Sequence, residues 1–388
     1  MFFLGLTSLL TDISSEMVTS ILPLYLVLTL GLTPLQFGFI DGLSQAVAAF
    51  ARLGSGLLAD RWRNHRAVAA AGYGLSALSR VLLLAAGGAW GLLSSAIVLD
   101  RIGKGIRTSP RDALISLSSA PERLGLAFGV HRALDTIGAL LGPLLAFAIL
   151  WLLADAYDVV FVASFFFGLV GLATLLCFVR NVAHGGSSAP ARRPIRVSAA
   201  RLFAHGPFRT LVMAGSVLGL MTVADSFFFL VIQRKLSMAP EMFPLLYVAT
   251  ALAYLLLAVP AGRLSDRVGR GRVFLIGHGL LVLGCVNLLW SDHAFVGLLS
   301  LALLGGYYAL TDGVLMAAAS ACLPADLRAT GLAALATATG VARMAASVLF
   351  GAIWGLQGAE FALGVFALGL VVAMLVTARP LARRALMQ

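Results

Sequence analysis

Long apolar segments alternate with short polar ones along the whole chain. About 20 apolar residues in a helix are enough to cross the hydrocarbon core of a bilayer. The pattern therefore predicts an all-α integral membrane protein of about twelve transmembrane helices. The predicted spans are about 3–30, 36–59, 67–87, 90–114, 123–153, 159–180, 208–233, 244–264, 273–290, 294–322, 329–356 and 361–379.

Composition and charge support this interpretation. Of the 388 residues, 60% are hydrophobic and 12% are charged, whereas soluble domains are roughly half apolar and a quarter charged. The net charge of +11 sits mainly in alternate connections, such as 61–66, 180–209 and 263–272. This distribution marks cytoplasmic loops rather than a nucleic-acid surface. We therefore expect a plasma membrane protein, in a bacterium the inner membrane, with both termini cytoplasmic. The connection containing Arg234 and Lys235 is an exception.

The chain contains an internal repeat. The stretch GSGLLADRWRNHR at 54–66 has a counterpart, PAGRLSDRVGRGR, at 260–272. Duplication in a membrane protein is typical of two pseudo-symmetric bundles with a site between them. We predict a six-helix bundle at 1–180, a basic Gly/Ser/Pro-rich cytoplasmic linker at 181–206, and a second six-helix bundle at 207–388.

The fourth span carries an unusual number of charges for a membrane helix. A charge at the bilayer centre costs about 3 kcal/mol, so these side chains must face protein or a water-filled path. We expect Arg101 and Lys104 to tune a nearby carboxylate or to bind an anionic group of a substrate. Arg107 and Arg111 are expected nearer the cytoplasmic end, as interfacial cations or as gate partners of Asp60. Asp100 belongs to the same charged stretch.

Two carboxylates, Asp12 and Glu16, lie one turn apart in the first span. Two such groups close together in a low-dielectric surrounding do not both ionise readily, which favours a proton-coupling role. The alternative is that both form salt bridges with the fourth-span cations and serve only assembly.

The fifth span places His131, Asp135, Gly138 and Gly142 on one face. His131 and Asp135 could relay a proton, or could form a structural pair that satisfies Arg132. The two glycines permit close helix approach, and Pro143 can kink the span.

Three motifs resemble those of the major facilitator superfamily. Gly56-Leu-Leu-Ala-Asp60-Arg61 and Gly262-Arg-Leu-Ser-Asp266-Arg267 resemble its loop signature. Arg101-Ile-Gly-Lys104-Gly resembles its helix-4 motif. Gly138-Ala-Leu-Leu-Gly142-Pro143 is similar to the helix-5 motif of its drug:proton antiporters. The resemblance implies a cytoplasmic gate at the two loop signatures. It also implies a cavity lined by helices 1, 4, 7 and 10, to which we assign Asp100, Arg101, Lys104, Arg132, Asp225, Asp312 and Arg343.

We therefore expect a proton-coupled transporter that exports a small organic, polar or charged solute by alternating access. Uptake by symport is the alternative. Its expected partners are the solute, protons and membrane lipid, with no nucleic acid, and the protein is expected to be a monomer. We expect no cofactor and no metal, because the sequence has no paired His or Cys spacing. An integral membrane enzyme using His131, Asp135 and His278 is the rival class, and a lipid flippase or a solute sensor is left open.

Overall fold

The apolar spans form helices in a computed structural model of the protein, which describes residues 2–62, 64–119, 124–179, 202, 204–324 and 327–381. The side chains at 2, 49, 52–62, 109, 117, 124–127 and 329 lie outside this description. None of the described residues lies in a β-strand. The α-helices are α1 (Phe2–Leu24), α2 (Pro34–Trp62), α3 (His65–Ala85), α4 (Trp90–Leu117), α5 (Leu124–Leu152), α6 (Tyr157–Phe178), α7 (Gly206–Leu220), α8 (Asp225–Lys235), α9 (Pro244–Val268), α10 (Arg270–Trp290), α11 (Ala294–Cys322), α12 (Arg328–Gln357) and α13 (Ala359–Leu381).

The helices correspond to the predicted spans with one difference. Within the described residues, nine helical segments are long and apolar enough to cross a membrane. One of these, Gly206–Lys235, contains both α7 and α8 and is interrupted at 221–224. Helices α1, α2 and α4 are not among the nine, although they are 23, 29 and 28 residues long. The prediction of an all-α membrane protein is confirmed, whereas the seventh span is two helices and not one.

Contacts between Cα atoms divide the chain into two compact units. Unit 1 contains Met1–Leu32, Leu43–Ser188 and Ala239–Val248, and unit 2 contains Thr33–Gly42, Ala189–Met238 and Ala249–Gln388. The start of α2 thus groups with unit 2, and the start of α9 groups with unit 1. The predicted linker at 181–206 lies almost entirely outside the described residues, so that boundary stays a prediction.

The helices of the two units pack in the same order. In unit 1, α1 packs against α5 and α6, and α3 packs against α4 and α6. In unit 2, α7 packs against α12 and α13, and α10 packs against α11 and α13. When the spans are counted within each half, the first contacts the fifth and sixth, and the third contacts the fourth and sixth. The sequence repeat is therefore also a repeat of packing.

Two glycines of α5 determine how closely α5 approaches α1. A Cβ atom on Gly142 would lie 2.9 Å from the Ile13 carbonyl oxygen and from the Met17 nitrogen, and one on Gly138 would lie 2.9 Å from the Leu9 carbonyl oxygen. Backbone atoms cannot move aside as a flexible side chain can. Pro143 lies inside α5, which continues to Leu152.

This close approach predicts that Gly142→Ala lowers the melting temperature of the purified protein. The added methyl group overpacks the α1–α5 contact, which typically costs about 1–3 kcal/mol. The matched control is Gly129→Ala on the same helix, where a Cβ meets nothing within 4 Å and helix propensity improves by up to about 1 kcal/mol. Equal melting temperatures for the two variants would contradict the assignment.

Candidate functional site

Four polar side chains on one face of α1 meet the four cations of α4 in antiparallel order. Residues three or four apart share a helix face, and the partners on both helices keep that spacing. We call this set of contacts the α1–α4 ladder. Its pairs are Ser8 with Arg111 at 3.1 Å, Asp12 with Arg107 at 3.4 Å, Glu16 with Lys104 at 3.3 Å, and Thr19 with Arg101 at 3.4 Å.

Arg107 is the most deeply buried cation of the ladder, with only 3% of its side chain exposed. Besides Asp12, its guanidinium donates to Ser15 at 3.3 Å and to Ser76 at 3.4 Å. The guanidinium carbon also lies 5.0 Å from the centre of the Tyr73 ring. Arg107 was expected at the cytoplasmic interface, but it lies inside unit 1, because hydroxyl groups and an aromatic ring replace water around its charge.

The ladder is more open around Lys104 and Glu16. The Lys104 side chain is 36% exposed and that of Glu16 is 21% exposed. Arg101 is 18% exposed. Asp12 and Glu16 thus form the salt bridges that are expected if both acids serve only assembly. The pair of Glu16 and Lys104 is nevertheless accessible to solvent.

Helix α5 adds a carboxylate and an imidazole to the buried end of the ladder. Asp135 accepts a hydrogen bond from Ser8 at 2.6 Å, and its Oδ2 atom lies 3.7 Å from Arg111 and 3.5 Å from Nε2 of His131. Arg132 is exposed, so Arg111, and not Arg132, is the guanidinium beside Asp135. Arg111 also contacts Asp112 at 3.1 Å. The predicted role of Arg111 as a partner of Asp60 is untested, since the side chain of Asp60 lies outside the described residues.

Asp100 forms a buried ion pair with Arg80 of α3. The two groups are 2.8 Å apart, with 1% of the Arg80 side chain and 9% of the Asp100 side chain exposed. Arg80 also donates to Ser79 at 2.7 Å and to Ser164 at 3.2 Å. The assignment of Asp100 to the substrate cavity is not supported. Its carboxylate faces Arg80 of α3, because a buried guanidinium requires an opposite charge beside it. The sequence indicates no partner for Arg80. In the structure, the Asp100 carboxylate balances its charge and two serine hydroxyls accept its hydrogen bonds.

In unit 2, two charged side chains of the helices contact tyrosine hydroxyl groups. Asp225 begins α8 directly after the interruption at 221–224, and it accepts a hydrogen bond from Tyr308. Arg343 donates to the Tyr307 hydroxyl at 3.2 Å. Asp312 is exposed on α11. Asp225 and Arg343 thus each contact a tyrosine of the same helix.

The hydroxyl groups that hydrogen-bond to the charged side chains were not predicted from the sequence. Tyr73, Ser76 and Arg80 follow one another at intervals of three and four residues on α3, which places them on one helix face. That spacing was a usable signal, because a polar stripe in an apolar span has to meet polar partners. Tyr308 gave no comparable signal, since aromatic pairs are common in apolar helices.

The second loop signature lies where α9 ends and α10 begins. Gly262, Asp266 and Arg267 are exposed on the last turns of α9, and Gly269 follows with a positive φ of 98°. Glycine adopts this backbone conformation at little cost, which explains its place in the turn. The side chains of Gly56, Asp60 and Arg61 lie outside the described residues, and the gate role of both copies stays a prediction.

Lys235, part of the exception to the charge pattern, is neutralised by two acids. Its Nζ atom lies 2.9 Å from Asp292 and 3.2 Å from Glu360. The ends of α8 and α10 and the start of α13 therefore meet in unit 2.

Comparison with known proteins identifies the family. The sequence matches the model of the Major Facilitator Superfamily over residues 4–233 and again over 217–386. The chain belongs to the major facilitator superfamily. An uncharacterized MFS-type transporter of Methanocaldococcus jannaschii is 32% identical over 366 residues, covering 91% of this chain and 88% of the relative. The Multidrug resistance protein MdtH of Photorhabdus laumondii is 27% identical over 308 residues, covering 78% and 74%.

Superposition on solved structures shows the major facilitator fold over 97–98% of the chain. A mutant of the nucleoside transporter NupG superposes with a TM-score of 0.83 at 15% identity, covering 98% of this chain and 99% of that one. A D-xylose-proton symporter superposes with a TM-score of 0.77 at 16% identity, covering 97% and 96%.

Membership of a transporter family weakens the case for the rival enzyme hypothesis. No group of three or more His, Cys, Asp or Glu residues within the described part of the chain is placed to hold a metal ion. His278 lies in unit 2, where its Nδ1 atom is 2.8 Å from the Phe274 carbonyl oxygen, whereas His131 and Asp135 lie in unit 1.

The buried Arg80–Asp100 pair predicts a large loss of stability for Arg80→Met. Among the described residues, this change leaves Asp100 with only the longer contact to Arg101, at 4.0 Å, and removing the close partner of a buried charge typically costs about 3–5 kcal/mol. The double variant Arg80→Met/Asp100→Leu removes both charges and should recover most of the lost stability. Thermal unfolding in one detergent measures both effects.

The control for this experiment is Lys235→Met, whose acidic partners are exposed. The Lys235 side chain is 11% exposed and its two acids are 69% and 71% exposed, so its removal leaves no buried charge unpaired. Pairs of this kind at a surface contribute about 0–1 kcal/mol, and this variant should unfold close to the wild type. A double variant no more stable than Arg80→Met alone would show that the pair is not the cause.

Proposed function

We propose that this transporter uses a proton gradient to move a small polar or charged organic solute by alternating access, in the direction of export. The observation that carries the proposal is the α1–α4 ladder, in which two acids of α1 are each held by a cation of α4. Ionisable groups within membrane spans are costly and are typical of ion and substrate pathways. Here they are concentrated in one unit of a transporter.

The chemistry of the ladder suits a proton-dependent switch. Protonation of Asp12 or Glu16 removes the negative charge and weakens the contact with Arg107 or Lys104. A conformation that depends on that contact then becomes less favoured, and a proton shifts the equilibrium by as much as it prefers one conformation. Asp135 beside Arg111 can act in the same way, with His131 as its neighbour for proton exchange.

Two observations support export. The Gly138–Pro143 motif resembles that of drug:proton antiporters, and one relative is named a multidrug resistance protein. The solved symporter shares the fold at 16% identity, which carries no information about direction. The proposal includes a single chain in the plasma membrane with both termini in the cytoplasm, since the basic connections fit the positive-inside rule.

The proton mechanism predicts that Asp12→Asn, Glu16→Gln or Asp135→Asn impairs gradient-driven transport. Each change removes a titrating group while keeping its size, so at least one variant should lose about tenfold or more in gradient-driven flux, which corresponds to about 1.4 kcal/mol. The measurement is solute flux in proteoliposomes with an imposed pH gradient, compared with exchange in the absence of a gradient.

The matched control is Asp155→Asn, an acid-to-amide change in the connection between α5 and α6. Asp155 has a positive φ of 59°, a conformation that asparagine adopts readily. Undiminished gradient-driven flux in all three ladder variants would rule out the carboxylate mechanism.

The direction of transport has its own test in inside-out membrane vesicles. If the transporter is an exporter, a solute from a panel of anions, cations and zwitterions should release protons from energised inside-out vesicles when it is added. The same solute should not accumulate in right-side-out vesicles. Accumulation in right-side-out vesicles together with proton entry would establish uptake by symport instead.

A further inference from the structure

Arg101 differs from the other three cations of α4 in having no carboxylate of its own among the side chains that the structure describes. Lys104 is paired with Glu16, Arg107 with Asp12, and Arg111 with Asp112. The carboxylate nearest to Arg101 is that of Asp100, whose Oδ2 atom is 4.0 Å from Nε of Arg101.

The Asp100 carboxylate is already committed to another cation. Its Oδ1 atom lies 2.8 Å from Arg80, which is 1% exposed and whose further side-chain partners, within the described residues, are serine hydroxyls. One negative charge therefore serves two guanidinium groups, and the shorter contact is with Arg80. The cluster of Arg80, Asp100 and Arg101 carries a net positive charge.

The hydrogen bonds of Arg101 are also incomplete. A guanidinium has five N–H donors, and with the described residues Arg101 makes one long contact, 3.4 Å, to the Thr19 hydroxyl. Its Nε atom is buried and has no hydrogen-bond partner among the described residues. A buried donor without an acceptor is costly, so the group is suited to an acceptor that arrives from outside the chain.

The surroundings of Arg101 limit what that acceptor can be. Its side chain is 18% exposed, and Lys104 one turn away is 36% exposed, so a solute can reach it. The net positive charge repels cations. The planar guanidinium matches carboxylate and phosphate groups, which it binds through two parallel hydrogen bonds.

We propose that the substrate of this transporter is a small organic anion, whose carboxylate or phosphate group binds Arg101 next to the Thr19 hydroxyl. The proposal rests on the proposed transport function in taking the bound anion to be the transported solute. It makes no use of the proton-coupling acids, so the two can fail separately.

The test measures the charge preference of a thiol introduced beside Arg101 by Thr19→Cys. Purified protein in nanodiscs is treated with an anionic or a cationic methanethiosulfonate reagent. The rate of modification is read from the peptide that contains position 19, so that the native thiols, including exposed Cys177, do not interfere. The anionic reagent should react faster.

Two further variants assign this preference to the Arg101 charge. Arg101→Gln in the Thr19→Cys protein should reduce the ratio of anionic to cationic rates at least about fivefold, the effect of one unit charge about 4 Å away in water. Arg101→Lys keeps the charge and should keep most of the ratio. Ala89→Cys, in the exposed connection before α4, gives the reference ratio.

Protection by simple anions identifies the group that is recognised. Inorganic phosphate or acetate at about 50 mM, well above a millimolar dissociation constant, should slow modification of the thiol in the Arg101 protein and not in the Arg101→Gln variant. Protection by acetate indicates a carboxylate substrate, and protection by phosphate indicates a phosphate ester.

Several outcomes would overturn the proposal. Equal rates for the two reagents, a ratio that Arg101→Gln does not change, or no protection by either anion would each do so. Absence of reaction with both reagents would show that the site is closed to solutes and would also overturn it. The anion site and the proton mechanism can be told apart. If the anionic reagent reacts faster while Asp12→Asn, Glu16→Gln and Asp135→Asn keep full flux, the anion site is supported and only the proton mechanism is excluded.

Discussion

A charge in an apolar interior needs an opposite charge or a polar group beside it, and this requirement organises unit 1. Helix α4 carries cations and an acid that cannot face lipid. Their partners come from three helices: Asp12 and Glu16 from α1, Arg80 from α3, and Asp135 from α5. Apolar contact alone does not fix how a helix is rotated within lipid. In unit 1, ion pairs and hydroxyl contacts specify the rotation, and the glycines of α5 set the distance.

The fold was predictable because span length and hydropathy are local properties of the sequence. The acidic face of α1 and the glycine face of α5 were predictable for the same reason, since helical periodicity places residues on faces. Periodicity does not say which neighbour a face meets. Asp100 was therefore assigned to a cavity although it meets Arg80, and Arg107 was expected at an interface although it meets Asp12. The interruption at 221–224 also had no signal, because Met-Thr-Val-Ala contains neither proline nor glycine.

The helices of the two units pack in the same order, but the polar contacts between these helices differ. Unit 1 holds its interior charges in ion pairs between helices, whereas unit 2 binds Asp225 and Arg343 through tyrosine hydroxyls. The helix-to-helix contacts of the repeat match, whereas the polar contacts of its helices differ. Among the described residues, the ion pairs between the charges of α4 and the neighbouring helices therefore lie in unit 1. Arg101 lies in unit 1 and is the ladder cation without its own carboxylate in the described part of the chain.

The charges of α4 also have a consequence for biogenesis. On the insertion scale each central charge costs about 3 kcal/mol, so α4 by itself would partition poorly from the translocon into lipid. Its partners on α1 and α3 are synthesised earlier and are already available when α4 emerges, whereas Asp135 on α5 follows. We therefore expect nascent α4 to stay beside α1 and α3 until their side chains have paired with its charges. Helices α1, α3 and α4 then enter the lipid together.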